Sequence, residues 1–316
     1  MENLNNIKAI SLTRLGQAGS IFSIGAYQHK LINSKIKLIT ADYGQPSGMM
    51  KFQKEFPDDY INVGIAEQNL IGVAAGIADE GYVPIAGAQA CFVSMRSFEQ
   101  VRQYMGYMKM PIILVGVSSG FALTFFGNTH YAIEDYGLIS SIPGNIDIYT
   151  PSDGLSAIKA LSLALEQNKP SYIRTTGTPI QKKIYENYCE INNDFNVMSE
   201  GDDALLISSG SITRNCIVAL NELKESGKNI KHINLLKANP IPSRLLDEIN
   251  NFKNVYVVEE HCSKNSLLDK LRATSLKDIK GINLGDKFHI VGDYEYLLMN
   301  SGLDADSIRK KILEYV

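Results

Sequence analysis

Short apolar runs alternate with amphipathic segments along almost the whole chain, and this alternation limits the fold more than any other feature. Strand-sized runs separated by helical segments pack as a mostly parallel sheet flanked by helices, the α/β class. In the first half the runs predict strands at 37–40, 61–63, 83–87, 112–117, 146–149 and 172–175, with helices at 12–32, 66–79, 94–109, 133–141 and 153–168. From Gln181 to Asp203 the pattern lapses into a polar stretch, QKKIYENYCEINNDFNVMSEGDD, which reads as a linker with at most an edge strand. A second series follows: ALLISSG, a helix ending near 226, IKHINLL, a helix from Ser243, NVYVVEEH, another helix, a strand FHIVG and a closing helix from Asp304. Two α/β domains are expected, at 1–185 and 198–316. The length of 316 residues agrees with that count, at roughly 150 residues per domain.

Composition removes several function classes. A chain that is 45% hydrophobic and 21% charged is an ordinary globular protein. Its net charge of −3 leaves no basic excess for a nucleic acid backbone. Cys91, Cys189, Cys216 and Cys262 lack CxxC or CxxH spacing, which argues against a zinc site or disulfide framework and fits a reducing cytoplasm. No apolar run approaches the roughly 20 residues of a membrane span. MENLNNIKAI places acid and amide groups ahead of any apolar stretch, unlike a secretory signal. There is also no Gly-rich phosphate loop and no GDG-type metal-diphosphate motif, and no metal ligands are assigned to this chain.

The most informative segment is INVGIAEQNLIGVAAGIA, residues 61–78. A short β-rich run feeds a helix with Glu67 in its first turn, and Gly72 and Gly76 stand four apart among alanines. A mid-helix glycine costs about 1 kcal/mol relative to alanine. Two of them suggest close approach of another backbone, most simply a second helix at a subunit contact. By periodicity alone, a buried packing helix whose glutamate complements the N-terminal dipole serves as well.

The wording of that segment closely resembles the pyrimidine-binding domain of the transketolase family of thiamine-diphosphate enzymes. Further motifs follow in the family's order: LTRLG, TADYGQPSG, FVSMRSFEQVRQ, GNTHYAIEDYGLISSIPG, PSYIRT and VYVVEEH. The resemblance covers nearly the whole chain and is to the C-terminal subunit of a split, two-chain transketolase. It implies a pyrimidine-binding domain followed by a C-terminal α/β domain, and an enzyme moving a two-carbon ketol unit between sugars. Such an enzyme belongs to carbohydrate metabolism in the cytoplasm.

Several residue roles are implied by the resemblance. Glu67 matches the glutamate that hydrogen-bonds N1′ of the cofactor's aminopyrimidine in a proton relay; the carbanion chemistry itself is the cofactor's. Phe92 matches the aromatic stacked on that ring. Gln89 stands where a second aromatic is usual, and Met95 at a third such position. Asp42 matches an acidic residue close to the cofactor, and Tyr43 replaces a small aliphatic beside it. His130 matches the histidine facing substrate, in a loop of the kind that meets ligands at the end of a sheet.

Departures bear on the substrate. Phe126 replaces an aspartate that binds a donor-sugar hydroxyl, with Phe125 beside it. A phosphate-binding histidine and arginine align with Ser118 and near Gly177, while Arg14 and Ser47 remain at other phosphate-side positions. An anion pocket stripped of donors binds a dianion poorly. A non-phosphorylated or otherwise modified sugar is therefore expected.

Family members hold the diphosphate through Mg²⁺ with a GDG…N motif on another domain. Here only GDD at 201–203 and GDK at 285–287 occur. The expectation is a partner, an N-terminal diphosphate-binding transketolase subunit that binds Mg²⁺. A homodimeric contact with a second copy of this chain would complete an α₂β₂ assembly. Glu259-Glu260-His261 looks metal-like, but adjacent side chains on a strand point to opposite faces, so an ion-pairing or interface role is expected. Two alternatives share the architecture: the beta subunit of a 2-oxoacid dehydrogenase decarboxylase component, and a catalytically silent scaffold subunit.

Overall fold

A computed structural model describes residues 2–5, 7–144, 146–178, 181–275 and 277–314. Two sheets organise these residues. The first contains β1 (Ile36–Thr40), β2 (Tyr60–Asn62), β3 (Val83–Gln89), β4 (Ile113–Ser119), β5 (Asp147–Tyr149) and β6 (Ser171–Thr176). These six strands pair in parallel in the order β5-β6-β4-β3-β1-β2. The second sheet contains β7 (Phe195–Ser199), β8 (Ala204–Ser209), β9 (Ile230–Leu235), β11 (Val255–Glu259) and β12 (Ile279–Ile282), in the order β12-β11-β8-β9-β7 with β7 antiparallel at one edge. The short β10 (Lys237–Asn239) leaves the second half of the chain to pair antiparallel with β5 at the edge of the first sheet.

Strand residues of the first sheet divide between two cores, as the alternation of side chains across a pleated sheet requires. Ile39, Ala86 and Leu114 face a cluster covered by Leu70, Ile71, Ala74 and Ala75 of the helix Glu67–Asp79. Their neighbours Leu38, Ile85 and Ile113 face the opposite cluster, covered by Phe22, Leu155, Ile158 and Leu161. There the helix Gly154–Gln167 is started by a capping box, in which Ser156 N donates to Asp153 Oδ1 at 2.9 Å and Asp153 N donates to Ser156 Oγ. In the second sheet, Leu206, Tyr256 and Val258 pack with Leu220, Ile308 and Ile312.

The strands anticipated from the apolar runs are found with ends shifted by up to two residues, and the stretch 181–203 holds β7 as its edge strand. One expected strand is corrected. FHIVG, 288–292, is irregular, and the strand in that part of the chain is β12, from the IKGI run. Phe288, Ile290 and Val291 are exposed rather than inserted between helices, and the backbone groups of His289 are paired with a side-chain amide instead of a neighbouring strand. Among the described residues no helix is long and apolar enough to cross a membrane.

Candidate active site

Because β1 to β4 are parallel, their carboxyl ends open on one edge of the sheet, where α/β folds gather ligand-binding loops. Asp42 and Tyr43 follow β1, Glu67 follows β2, Gln89 closes β3 with Phe92 just after it, and the loop bearing His130 follows β4. The topology therefore brings residues scattered over 42–130 to neighbouring strand ends.

Glu67 opens its helix and is only 3% exposed. Its Oε2 accepts a hydrogen bond from Arg96 Nη1 at 2.8 Å, and the Arg96 guanidinium carbon lies 4.2 Å from the Phe92 ring centroid. Phe92 begins a short π-helical turn, Phe92–Arg96, which carries the arginine back over the ring. Phe92 also meets the His130 imidazole edge-on at 5.3 Å. Phe126 approaches the same imidazole at 4.8 Å and is 64% exposed. Glu67, Arg96, Phe92, His130 and Phe126 thus form one continuous chain of contacts. His130 Nδ1 lies 2.9 Å from Thr129 Oγ1, which leaves Nε2 as the nitrogen open to a ligand.

The remaining candidates lie around this chain rather than in it. Asp42 is exposed with a left-handed backbone (φ 53°) and accepts from Asn62 Nδ2 at 3.1 Å, while its own N–H donates to Asn62 Oδ1. Tyr43 is half-buried, with its N–H donating to Thr40 Oγ1. Ser47 is buried and its hydroxyl donates to the Tyr43 carbonyl at 2.5 Å. Gln89 is half-buried, and its side-chain oxygen is buried without a partner. Arg14 is exposed. A small pocket of about 50 Å³ gathers Gly16, Pro46, Ser118, Thr176 and Gly177, and every residue lining it is uncharged. A larger cleft of about 430 Å³, between Glu134, Gly137 and Leu138 on one side and Cys262, Lys264 and Phe288 on the other, contains none of Glu67, Phe92 or His130. The chemistry-bearing cluster lies on an open edge of this chain.

Glu259 closes β11, and Glu260 and His261, just beyond the strand end, turn to different partners. Glu259 accepts from Leu267 N and Leu268 N at the start of a helix, and burial raises its carboxyl to about 7. Glu260 turns the other way and accepts from Phe121 N and Tyr294 Oη, both at 2.6 Å. His261 Nε2 accepts from Gly137 N, and burial holds the ring near 4, as a neutral imidazole. Beneath them lies a buried ion pair. Arg174 Nε donates to both oxygens of Asp135 (2.8 and 2.9 Å), which also accepts from Ser119 and Tyr172.

Comparison with known proteins shows the family of the chain. The family signature "Transketolase, pyrimidine binding domain" matches residues 32–180. A subunit of the apulose-4-phosphate transketolase of Actinobacillus succinogenes is 30% identical over 278 residues, covering 85% of this chain and 89% of that protein. The chain belongs to the transketolase family. The "Putative transketolase C-terminal section" of Methanocaldococcus jannaschii is 28% identical to this transketolase chain over 309 residues, 95% of each. A solved structure titled "Split gene transketolase, inactive beta4 tetramer" superposes with a TM-score of 0.83 at 26% identity, covering 95% of this chain and 97% of that one.

Transketolases depend on thiamine diphosphate, and the cluster fits the aminopyrimidine half of that cofactor. It holds a buried carboxylate and a partly exposed aromatic ring, and the unpartnered Gln89 oxygen at the end of β3 is an acceptor for an amino group. Arg96 is the member of this contact chain that motif reading passed over. Its position one helical turn beyond Phe92, in FVSMR, is the signal that would have found it.

Proposed function

We propose that this transketolase-family chain is the C-terminal subunit of a two-chain, thiamine-diphosphate-dependent enzyme that transfers a two-carbon ketol unit between modified sugars. The contact chain Glu67–Arg96–Phe92–His130 at the carboxyl ends of β2, β3 and β4 carries this reading. It supplies a buried carboxyl, a ring to pack on and an imidazole, linked in series by contacts of 2.8, 4.2 and 5.3 Å.

In this reading Glu67 hydrogen-bonds the aminopyrimidine, Phe92 packs on that ring and Gln89 accepts from its amino group. Asp42 and Tyr43 border the cofactor from β1. Thiamine diphosphate, when bound, supplies the carbanion-stabilising thiazolium. His130, with Nδ1 engaged by Thr129, moves a proton at Nε2 to or from a substrate hydroxyl. Arg14 and Ser47 lie on the substrate's far side.

The substrate reading rests on two features. Phe126 puts an apolar face against His130 where a hydroxyl acceptor would favour an ordinary ketose. The pocket around Ser118 and Gly177 offers no charge to a phosphate. A non-phosphorylated or otherwise modified sugar follows, and a relative named for apulose 4-phosphate supports the modified class.

The partner is an N-terminal transketolase subunit that holds the diphosphate and Mg²⁺, within an α₂β₂ assembly in the cytoplasm. The domains of this chain are 1–185 and 198–316. Space beside Gly72 and Gly76 is open, since among the described residues, the helix's own backbone aside, a methyl group on either would meet no atom within 4 Å. A second copy of the chain fits against that face.

Reconstitution with the partner subunit tests the reading. Ketol transfer should require thiamine diphosphate and both chains, and Glu67→Gln should abolish it. Turnover by this chain alone would refute the two-chain reading, and efficient use of xylulose 5-phosphate with ribose 5-phosphate would refute the substrate reading.

A further inference from the structure

The loop that carries His130 is bridged at its neck, where Gly120 and Ala132 exchange backbone hydrogen bonds (2.8 and 3.2 Å). Within the loop, Tyr131 Oη lies 2.5 Å from Thr124 O and His130 N donates to Gly127 O at 2.9 Å. Besides further short-range bonds within the loop, several ties reach the second half of the chain. At the start, Phe121 N donates to Glu260 Oε1, and the Phe121 ring meets the His289 imidazole edge-on at 4.9 Å. Midway, Asn128 Nδ2 donates to His289 O (2.6 Å) and His289 N donates to Asn128 Oδ1 (2.9 Å). At the end, the Tyr131 hydroxyl also reaches Ile290 O at 3.2 Å, and with one proton it donates to only one of its two carbonyls at a time.

Two glycines make this fit possible. Gly120 has a left-handed backbone (φ 68°), and a Cβ there would collide with Glu260 Oε1, so the carboxylate reaches the Phe121 N–H only past a glycine. Gly127 is also left-handed (φ 72°), and a Cβ there would meet Val291 at 2.9 Å. The irregular 288–292 segment thus has a use that its apolar sequence hides. Its backbone serves the His130 loop in place of a strand ladder.

We propose that the C-terminal half of the chain sets the position of His130, with Asn128 as the positioning residue, through its paired hydrogen bonds to the His289 backbone. The inference rests on reading His130 as the substrate-facing group. A loop this long loses considerable backbone entropy when held in one conformation. Reacting groups must be held within roughly 0.5 Å, and a misplacement of about 1 Å costs on the order of 10²-fold in rate. Asn128 stands two residues from His130, and its amide makes both members of a planar pair, so it fixes direction as well as distance.

The chain contains five histidines, so selective labelling of histidine carbons gives a resolvable spectrum without the partner subunit. Asn128→Ala should shift and broaden the His130 resonance while leaving those of His29 and His232 in place. In the reconstituted enzyme, kcat should fall about 10- to 100-fold, with thiamine diphosphate affinity and thermal unfolding unchanged. Asn128 is exposed, so the variant should fold. Tyr131→Phe, which removes only a hydroxyl, should act in the same direction and more weakly. An unchanged His130 resonance and wild-type kcat in Asn128→Ala would overturn the proposal. Full activity in His130→Asn would instead overturn the reading of His130, while the spectrum still decides whether Asn128 positions it.

Discussion

Arg96 stands over the Phe92 ring with its guanidinium 2.8 Å from the Glu67 carboxylate, so one side chain engages both groups expected to receive the aminopyrimidine. About half of the Arg96 side chain is exposed, and its ion pair is worth only about 1 kcal/mol. That is small enough to yield to a ligand and large enough to measure. Arg96→Gln should tighten thiamine diphosphate binding about fivefold, read by fluorescence titration of the reconstituted enzyme. Weaker or equal binding would show that Arg96 does not compete for the site.

Glu67→Gln keeps the size and burial of the side chain and removes the carboxylate. Its one charged partner is half-exposed, so water can take over the guanidinium, and stability should stay within about 1 kcal/mol of wild type. Ketol transfer should fall by at least about 10²-fold. A variant that unfolds, or one that retains activity, contradicts the role given to Glu67.

Asp135 and Arg174 are both buried, and the carboxylate also accepts from Ser119 and Tyr172. Removing one charge strands the other away from water. Asp135→Asn should cost about 3–5 kcal/mol in urea unfolding. A loss below about 1 kcal/mol would mean that the Arg174 charge finds water.

Burial holds His232 near 3, with its Nε2 2.8 Å from Ser208 Oγ, against an ordinary value of 6.5. Between those values the unfolded chain binds a proton that the folded chain refuses. This contribution to stability is therefore complete above pH 6.5 and is lost as pH falls towards 3. At pH 5 the loss is about 2 kcal/mol. In His232→Gln the difference in unfolding free energy between pH 7.5 and pH 5 should shrink by about that amount, and an undiminished difference would refute the assignment.

Phe126→Asp restores a hydrogen-bond acceptor beside His130. It should raise kcat/KM for an unmodified ketose at least about tenfold and lower it for the natural substrate. Competition assays between the two sugars would show either a crossing of preference or, against this reading, none.

How much was legible follows from how each feature is encoded. Ile85, Ala86 and their neighbours signal a strand because each side chain has a local burial requirement, and the helices Glu67–Asp79 and Gly154–Gln167 carry theirs in the same way. Glu67, Phe92 and His130 stood out as motif residues, but their convergence required the strand order, which no local pattern states. Arg96 was passed over because a salt bridge to Glu67, 29 positions away, leaves no periodicity. The FHIVG run misled for the converse reason. Its apolar side chains are exposed beside the His130 loop, and its pairing partner is the amide of Asn128, 161 residues earlier. β10, three residues long, has too few positions to show alternation at all.

β10 also sets an order of events during synthesis. The edge of β5 remains uncovered until Lys237–Asn239 has been made, well after β6 has closed the other side of that strand. An unpaired edge is a template for another chain. A nascent or truncated chain ending in the 181–203 linker would carry an adhesive margin that the full-length chain hides. Expression of the first half by itself should therefore yield aggregates, the more so because its core also takes in Ala238, Leu245 and Ile249 of the second half. Residues far along the message act as a chaperone in cis for the sheet that bears the chemistry.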